Sequence, residues 1–253
     1  MRNLLVGVSL PILGYNDGMD QKLQHTKELL TSYKPKAELL AKVAQLKLGI
    51  LVGPAGSGKD TLRDELIKVH SDSYQKLLSN TSRPMRPGEK EGDEYYFKSF
   101  DAMLTGLEHG DYLQGAVIHE QQLSGIHHDT LQNLDDAKIS LPIVVVATER
   151  EIHHLAPHAR TIFLVPPSAG ELRSRLYKGR NLSMEEIARR LSSAKREITQ
   201  ALTIPDYYFI VTDTIPETVK AADEYLRLGQ RSEVHNLQAR ITAQKVLSEL
   251  DKA

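Results

Sequence analysis

Residues 53–60 of this 253-residue chain read GPAGSGKD, a glycine-rich loop with a lysine near its end. The loop directly follows the apolar run LGILV and precedes the helical pattern TLRDELIKVH. A strand, a glycine-rich loop and a helix in this order are typical of a phosphate-binding loop. Glycines let successive backbone N–H groups point at phosphate oxygens, and the helix N-terminus adds a partial positive charge. We therefore expect the loop to bind phosphate groups, with Lys59 as a mobile positive charge beside them.

The residue after this lysine differs from the usual pattern. Phosphate loops carry a Ser or Thr there to hold Mg²⁺, whereas this chain has Asp60, with Thr61 one residue later. A carboxylate is itself a good ligand for a hard cation, although its negative charge lies close to the phosphates. We expect Asp60 and Thr61 to bind the metal in an altered way.

Five apolar runs of strand length recur along the chain, with helical patterns between them. They are LGILV (48–52), KLLS (76–79), IVVVA (143–147), TIFLV (161–165) and YFIV (208–211). Strands that are apolar without alternation, such as IVVVA, are typical of a parallel sheet covered by helices on both faces. The sequence therefore predicts an α/β fold with a mainly parallel five-stranded sheet.

Two stretches interrupt this alternation. Residues 81–129 combine a loop rich in Pro and Gly, an aromatic run and a helix expected near Asp101, which predicts an inserted subdomain. Residues 168–199 are helical and basic, and Arg189 and Arg196 share one helix face there because they are seven residues apart. We expect these basic side chains to face a cleft or a ligand.

The chain also extends beyond the predicted sheet at both ends. Residues 20–46 carry leucines at helical spacing with a break at Pro35, which predicts two short amphipathic helices in an N-terminal extension over 1–46. A further amphipathic helix is predicted near the end, in a C-terminal segment over 226–253. Its apolar positions are Val234, Leu237, Ile241, Leu247 and Leu250. The terminal helices are candidates for self-association into a homo-oligomer.

Charge and composition restrict the partners. The chain has 32 Lys and Arg against 33 Asp and Glu, a formal charge of −1, so bulk charge gives no attraction to nucleic acid or membranes. The absence of cysteine excludes disulfides, thiolate nucleophiles and zinc–thiolate sites. No apolar run approaches the ~18 residues of a membrane span, and the apolar N-terminus lacks a signal-peptide cleavage motif. We expect a cytoplasmic protein.

A second arginine-containing loop, TSRPMRPGEKEGDEYYF at residues 81–97, follows the glycine-rich loop along the chain. A proline follows each arginine and biases the loop toward extended or polyproline geometry, which has three residues per turn. Arg83 and Arg86 then project in the same direction. Two converging guanidinium groups can clamp a phosphate or a carboxylate, and Tyr95 can add a hydroxyl donor.

Taken together, these motifs resemble those of the guanylate kinase family of nucleoside monophosphate kinases. The family's ATP loop, G-x-x-G-x-G-K, matches residues 53–59, and its acceptor segment, T-[ST]-R-x-x-R-x-G-E-x-x-G-x-x-Y, matches residues 81–95 at every defined position. The family's lid motifs P-P-S, R-L and R-L-x-x-A-x-x-E match residues 166–168, 175–176 and 190–197. The likeness spans roughly residues 47–225.

The resemblance implies a P-loop kinase with an acceptor-binding subdomain, a helical lid, nucleotide substrates, and ATP and Mg²⁺ as cofactors. It implies phosphoryl transfer from ATP to a nucleoside monophosphate, with GMP giving GDP as the first expectation. The implied ATP-binding residues are Gly53, Pro54, Ala55, Gly56, Ser57, Gly58, Lys59, Asp60 and Thr61. The implied acceptor-binding residues are Ser79, Arg83, Arg86, Glu89, Tyr95 and Gln114. The implied catalytic cations are Lys59, Arg175, Arg180 and Arg190.

Three places that read guanine in the family are changed in this chain. Gln114 stands where the family has a carboxylate, residues 124–126 replace its Y-G-[ST] turn, and VVVATE at 144–149 lacks its Asp. A carboxylate accepts both N–H donors of the guanine edge, whereas the glutamine amide offers one carbonyl acceptor and one N–H donor group. Phosphate capture is therefore expected to be retained, while the identity of the acceptor base is left open.

Three interpretations of these changes stay open at the level of sequence. Glu120 or Glu149 takes over guanine recognition from a shifted position. Alternatively, the acceptor is a phosphorylated sugar, because the related ribose 1,5-bisphosphate kinase family also has G-K-D in its phosphate loop. A third alternative is a scaffold that only binds phosphorylated partners, against which the intact Lys59 loop argues.

Overall fold

The computed structural model describes residues 17–118, 121–180 and 183–252. Its strands are β1 (Lys47–Val52), β2 (Tyr74–Leu77), β3 (Asn80–Thr81), β4 (Tyr96–Phe97), β5 (Tyr112–Ile118), β6 (Gln122–His127), β7 (Ile139–Pro142), β8 (Arg160–Val165) and β9 (Tyr208–Val211). Its helices are α1 (Asp17–Thr31), α2 (Ala37–Gln45), α3 (Lys59–Val69), α4 (Phe100–Glu108), α5 (His128–Gln132), α6 (Val146–Leu155), α7 (Ala169–Arg180), α8 (Met184–Leu202), α9 (Ile215–Leu228) and α10 (Glu233–Asp251). Within these ranges we find no helix with the length and apolar character of a membrane span.

The central sheet has five strands in the order β2-β7-β1-β8-β9, and every adjacent pair is parallel. Successive residues of β1 belong to different core clusters, because Ile50 and Val52 pack on one face of the sheet and Leu51 packs on the other. A strand buried on both faces needs apolar residues without alternation, which explains the runs seen in the sequence. The predicted α/β fold with a parallel five-stranded sheet is confirmed.

One of the predicted strands is wrong. The run at 143–147 does not form a strand; the strand here is β7, which ends at Pro142, and Ile143 makes only an isolated bridge to Leu51. Helix α6 begins at Val146, so the last part of the apolar run is the buried start of a helix. A short apolar run suits a buried helix as well as a buried strand, and periodicity alone does not separate the two. The second predicted strand also lies two residues earlier than expected, at 74–77.

A second sheet, in the order β4-β3-β6-β5, lies within residues 80–127. Helix α4 covers it, with Ser99 capping the helix by accepting a hydrogen bond from the N–H of Ala102. Met103 and Leu107 of this helix pack with Leu123 of β6 in a separate apolar cluster. This small sheet has its own core, distinct from the cores on the two faces of the central sheet.

The helices α1 and α2, on either side of Pro35, connect the small sheet to the central one. Tyr33, between them, donates a hydrogen bond from its hydroxyl to the carbonyl of Tyr112 (2.5 Å) and accepts one from its N–H (3.1 Å). Leu39 and Val43 of α2 are fully buried in the same core cluster as Leu113 of β5 and Ile152 of α6. The N-terminal helices thus pack against both parts of the molecule.

The C-terminal helix α10 forms, and its packed face matches the predicted one only in its second half, where Leu250 is buried and Leu247 packs against the core. Val234, Leu237 and Ile241 are exposed, at 72%, 61% and 56%. The buried positions are Asn236, Ala239, Ala243, Val246 and Leu250. Small alanines let the helix approach β9 and α8 closely, and the Asn236 side-chain oxygen accepts a hydrogen bond from the N–H of Phe209. In the first half of α10, small residues pack in place of the larger apolar residues that periodicity favoured.

Candidate active site

The glycine-rich loop lies at the carboxyl end of β1 and runs directly into α3. Gly53 has a φ of 144°, and a Cβ built on it would lie 2.7 Å from the carbonyl oxygen of Leu164. Gly58 has a φ of 94° in the left-handed region and precedes the first residue of the helix, Lys59. Any other residue would be strained at these two positions. The glycines therefore let the loop turn tightly against the sheet before the helix begins.

Lys59 folds back over this loop. Its ammonium donates hydrogen bonds to the carbonyl oxygens of Gly53 (2.6 Å) and Pro54 (2.9 Å). Across the cavity, burial raises the pKa of Glu197 on α8 to about 7, while the nearby charges of Lys59 and Arg196 act in the opposite direction. The Lys59 ammonium on α3 and the Glu197 carboxyl on α8 therefore interact electrostatically.

One cavity of about 1020 Å³ brings the predicted site residues together. Its lining combines the glycine-rich loop, the small sheet, residues 143–148, and helices α7 and α8. The predicted residues on it are Gly53, Ala55, Gly56, Gly58, Lys59, Asp60, Thr61, Arg83, Arg86, Tyr95, Gln114, Arg175 and Arg190. The glycine-rich loop and the arginine pair therefore line the same cavity.

Four other predicted residues are described but do not line the cavity. Pro54 belongs to the loop and accepts from Lys59, and Ser57 is fully buried beneath it. Ser79 is 6% exposed, and its carbonyl accepts a hydrogen bond from the N–H of Tyr96. Glu89 lies behind the arginine pair. The side chain of a fifth predicted residue, Arg180, lies outside the described part of the chain.

Glu89 holds the acceptor-side arginines in place. Its carboxylate accepts two hydrogen bonds from the guanidinium of Arg83, at 2.6 and 2.7 Å, and one from the N–H of Arg86 at 2.9 Å. Burial alone would raise the pKa of Glu89, but these bonds and charges outweigh it and lower the pKa below its usual value. The Arg83 guanidinium also lies over the rings of Tyr95 (5.0 Å) and Phe97 (5.3 Å).

The lid arginines are held by neighbouring groups on the same side of the cavity. Arg175 donates to the hydroxyl (2.9 Å) and the carbonyl (2.8 Å) of Thr212 and to Glu171. Arg190 is 6% exposed and donates to Glu186 at 2.9 Å. Burial acts to raise the pKa of Glu186, and the bonds from its two arginine neighbours reverse this and lower it. These contacts fix the positions of two cations on the lining of the cavity.

Asp60 and Thr61 lie on the first turn of α3, and both line the cavity. The Asp60 side chain is 57% exposed, with one carboxylate oxygen 3.5 Å from the guanidinium of Arg63. A carboxylate and a hydroxyl beside a phosphate site are oxygen ligands of the kind that Mg²⁺ prefers. Among the described residues no cluster of three or more His, Asp or Glu side chains forms a metal site by itself. Any metal here would therefore need phosphate oxygens or water as further ligands.

Comparisons with known proteins decide the family. The family model for guanylate kinase matches residues 45–234 of this chain. The chain belongs to the guanylate kinase family. It is 38% identical over 156 residues to the guanylate kinase of a Nostoc species, covering 61% of this chain and 77% of that protein. It is 32% identical over 185 residues to the guanylate kinase of a Synechococcus species, covering 71% and 82% respectively.

A solved structure agrees with this family assignment. The crystal structure of guanylate kinase from Anaplasma phagocytophilum superimposes with a TM-score of 0.57 at 26% identity, covering 75% of this chain and 88% of that one. The chain is therefore a P-loop nucleoside monophosphate kinase of the guanylate kinase family. The comparisons support neither a sugar phosphate acceptor nor a binding-only role.

Of the two candidate replacements for the guanine-reading carboxylate, Glu149 does not take its place. Glu149 is fully buried in the core, where it accepts hydrogen bonds from Thr161 (2.6 Å) and Tyr207. Burial, together with the bond to Glu149, raises the pKa of the Tyr207 hydroxyl, which stays protonated as a donor. Glu149 does not line the cavity, so it does not read a base there. Glu120 lies outside the described residues.

The predicted site residues leave out several residues on the α8 side of the cavity. Arg189 and Arg196 were both expected to face a cleft or a ligand, but Arg189 is exposed to solvent and does not line the cavity. Arg196, Glu197 and Gln200 of α8 line it, as do Thr212 and Asp213 after β9. The R-L-x-x-A-x-x-E match already contains Arg196 and Glu197 at its end, so that motif could have identified them. The loop after β9 carries no comparable sequence signal, because its place in the site depends on how the sheet is ordered.

Proposed function

We propose that this member of the guanylate kinase family transfers the γ-phosphoryl group of ATP to the 5′-phosphate of GMP, giving ADP and GDP. The observation that carries the proposal is the shared cavity, in which Lys59, the Arg83–Arg86 pair and the lid arginines surround one space. Two anionic phosphates repel each other, so a site that brings them together needs this concentration of positive charge.

On the acceptor side, Arg83, Arg86 and Tyr95 bind the phosphate of the monophosphate. Glu89 keeps the Arg83 guanidinium oriented through two short hydrogen bonds, so little side-chain entropy is lost when the acceptor arrives. An oxygen of the acceptor phosphate then forms a bond to the γ-phosphorus. The bond from that phosphorus to its bridging oxygen breaks, and ADP keeps the electron pair. The nucleophile is already ionised, so the step needs no general base.

On the donor side, the backbone N–H groups of the glycine-rich loop and the ammonium of Lys59 bind the β- and γ-phosphates. Asp60 and Thr61 are the residues that would hold Mg²⁺, which when bound neutralises charge on those phosphate oxygens. Arg190 and Arg196 approach from the lid and stabilise the negative charge of the group in transfer. Closure of α7 and α8 over the cavity would exclude water and limit ATP hydrolysis.

The proposal predicts that Lys59→Ala lowers kcat for ADP release with MgATP and GMP by about 100-fold or more. The reason is that the substitution removes the positive charge of the lysine, which stabilises the group in transfer. A coupled ADP-release assay measures this. Lys68→Ala is the matched control, since Lys68 lies on the same helix, is 72% exposed and pairs only with Glu65 among the described residues. A wild-type chain that releases no ADP with GMP, or a Lys59→Ala variant with unchanged kcat, would contradict the proposal.

A further inference from the structure

A buried amide lies on the acceptor side of the cavity. Gln114 of β5 is 2% exposed and lines the cavity. Its side-chain carbonyl oxygen is buried and has no hydrogen-bond partner among the described residues. A buried acceptor without a partner is unfavourable, and a ligand in the cavity that carries an N–H donor can satisfy it.

The other described residues of this wall offer no ionised acceptor. The carboxylates on the described lining are Asp60 on α3, Glu186 and Glu197 on the lid helix, and Asp213 after β9. All four therefore lie on the donor and lid sides. The small sheet and residues 143–148 contribute amide, hydroxyl and aliphatic side chains to the lining. Among these described lining residues, Gln114 is the buried one with an unsatisfied acceptor.

We propose that Gln114 reads the acceptor base by a lactam edge, a ring N–H next to a ring carbonyl, and that the site therefore takes IMP as well as GMP. An amide offers one acceptor and one donor group, which match N1–H and O6 of a 6-oxopurine. A carboxylate would instead offer two acceptors, which match N1–H and the 2-amino group of guanine. Hypoxanthine has the lactam edge and lacks the 2-amino group. The inference rests on the proposed function, because it takes a 6-oxopurine monophosphate as the acceptor.

The reaction with IMP is balanced in the same way as that with GMP. A phosphate oxygen of IMP bonds to the γ-phosphorus of ATP, the bond to the bridging oxygen breaks, and IDP and ADP result. We expect kcat/KM values for GMP and IMP within about tenfold of each other, because Gln114 makes the same two hydrogen bonds to both bases. A wild-type preference for GMP over IMP of 100-fold or more would overturn the inference, as would use of AMP as efficient as that of IMP.

Gln114→Glu tests the residue directly. The new carboxylate can pair with the 2-amino group of guanine and loses its match to O6, so we expect the GMP-to-IMP ratio of kcat/KM to rise about 10- to 100-fold. Gln121→Glu makes the same chemical change at an exposed position of the same lining and should leave the ratio unchanged. An unchanged ratio in folded Gln114→Glu, or an equal rise in Gln121→Glu, would count against the amide as the reader.

Equilibrium binding of GMP and IMP to the full chain separates this inference from the proposed function. Absence of turnover with both nucleotides would reject the kinase reaction proposed above. Binding constants within tenfold of each other would still support the lactam reader, and a 100-fold preference for GMP in binding would reject it. The wild-type comparison needs no variant, so a Gln114→Glu chain that fails to fold leaves the inference testable.

Discussion

At the scale of single residues, Glu89 shows how a side chain that does not line the cavity can still control it. The sequence motif placed Glu89 among the acceptor-binding residues, and the structure places it behind Arg83 and the backbone of Arg86. Charge-assisted bonds of this length are among the stronger ones in proteins, and both groups are only about one-tenth exposed. The acceptor affinity should therefore depend on Glu89 through the orientation of Arg83.

We predict that Glu89→Gln raises KM for GMP by about tenfold and leaves KM for ATP nearly unchanged, because a neutral amide holds the guanidinium less firmly. Steady-state kinetics with each substrate varied in turn measures the two constants. Glu94→Gln is the matched control in the same loop, where Glu94 accepts a hydrogen bond from the N–H of Lys90. Equal rises in both constants would mean that Glu89 supports the whole site rather than the acceptor arginines.

Residues that the sequence singled out by a local motif mostly line one cavity. The glycine-rich loop and the arginine pair were found because their spacing is fixed by phosphate geometry within a few residues. Glu149 illustrates the opposite case. Its sequence neighbourhood suggested a base reader, but its environment depends on Thr161 and Tyr207, which reach it only through the fold. Burial of a carboxylate cannot be inferred from the residues beside it.

At the scale of secondary-structure elements, the sequence predicted helices and strands well where packing agrees with periodicity. The run at 143–147 failed because its role changes within five residues, from a bridge beside β1 to the start of α6. In α10 the prediction was wrong for the first part of the helix, since Ala239 and Ala243 are buried there rather than the larger apolar residues. Neither the end of the strand nor the packed face of the helix is decided locally, because each depends on an element that is distant in the sequence.

The contact between Tyr33, which lies between α1 and α2, and Tyr112 of the small sheet gives a prediction about stability. Burial raises the pKa of Tyr33 to about 12, so its hydroxyl stays protonated and serves both backbone groups of Tyr112. Tyr33→Phe leaves these groups without the hydroxyl, at a cost of ~1–3 kcal/mol, and should lower Tm by roughly 2–12 °C. Thermal unfolding followed by circular dichroism measures the shift. Tyr177→Phe, at a half-exposed hydroxyl, should leave Tm almost unchanged.

At the scale of the whole molecule, the candidate site lies where three parts of the described chain meet. The start of α3 supplies Lys59, the small sheet and its loop supply Gln114 and Arg83, and helix α8 supplies Arg190 and other polar groups. Among the described residues, the glycine-rich loop and the arginine pair belong to different parts. The sequence identified each part through its motif, but the facing of one part toward another, including that of Glu197 toward Lys59, required the folded chain.

The contact between lid and core predicts a pH dependence. Because burial raises the pKa of Glu197 to about 7, this carboxyl is mostly neutral below pH 7 and mostly negative above it, near the ammonium of Lys59. Bound phosphates favour its neutral form, so ATP affinity should fall as the pH rises from about 6 to 8. Glu197→Gln removes the titrating group and should flatten this dependence, while Glu185→Gln, 80% exposed on the same helix, should retain it. Titrations of ATP binding at several pH values measure the effect. If the dissociation constant changed with pH in the same way for the wild type and for Glu197→Gln, the Glu197 carboxyl would not affect ATP binding and the prediction would be wrong.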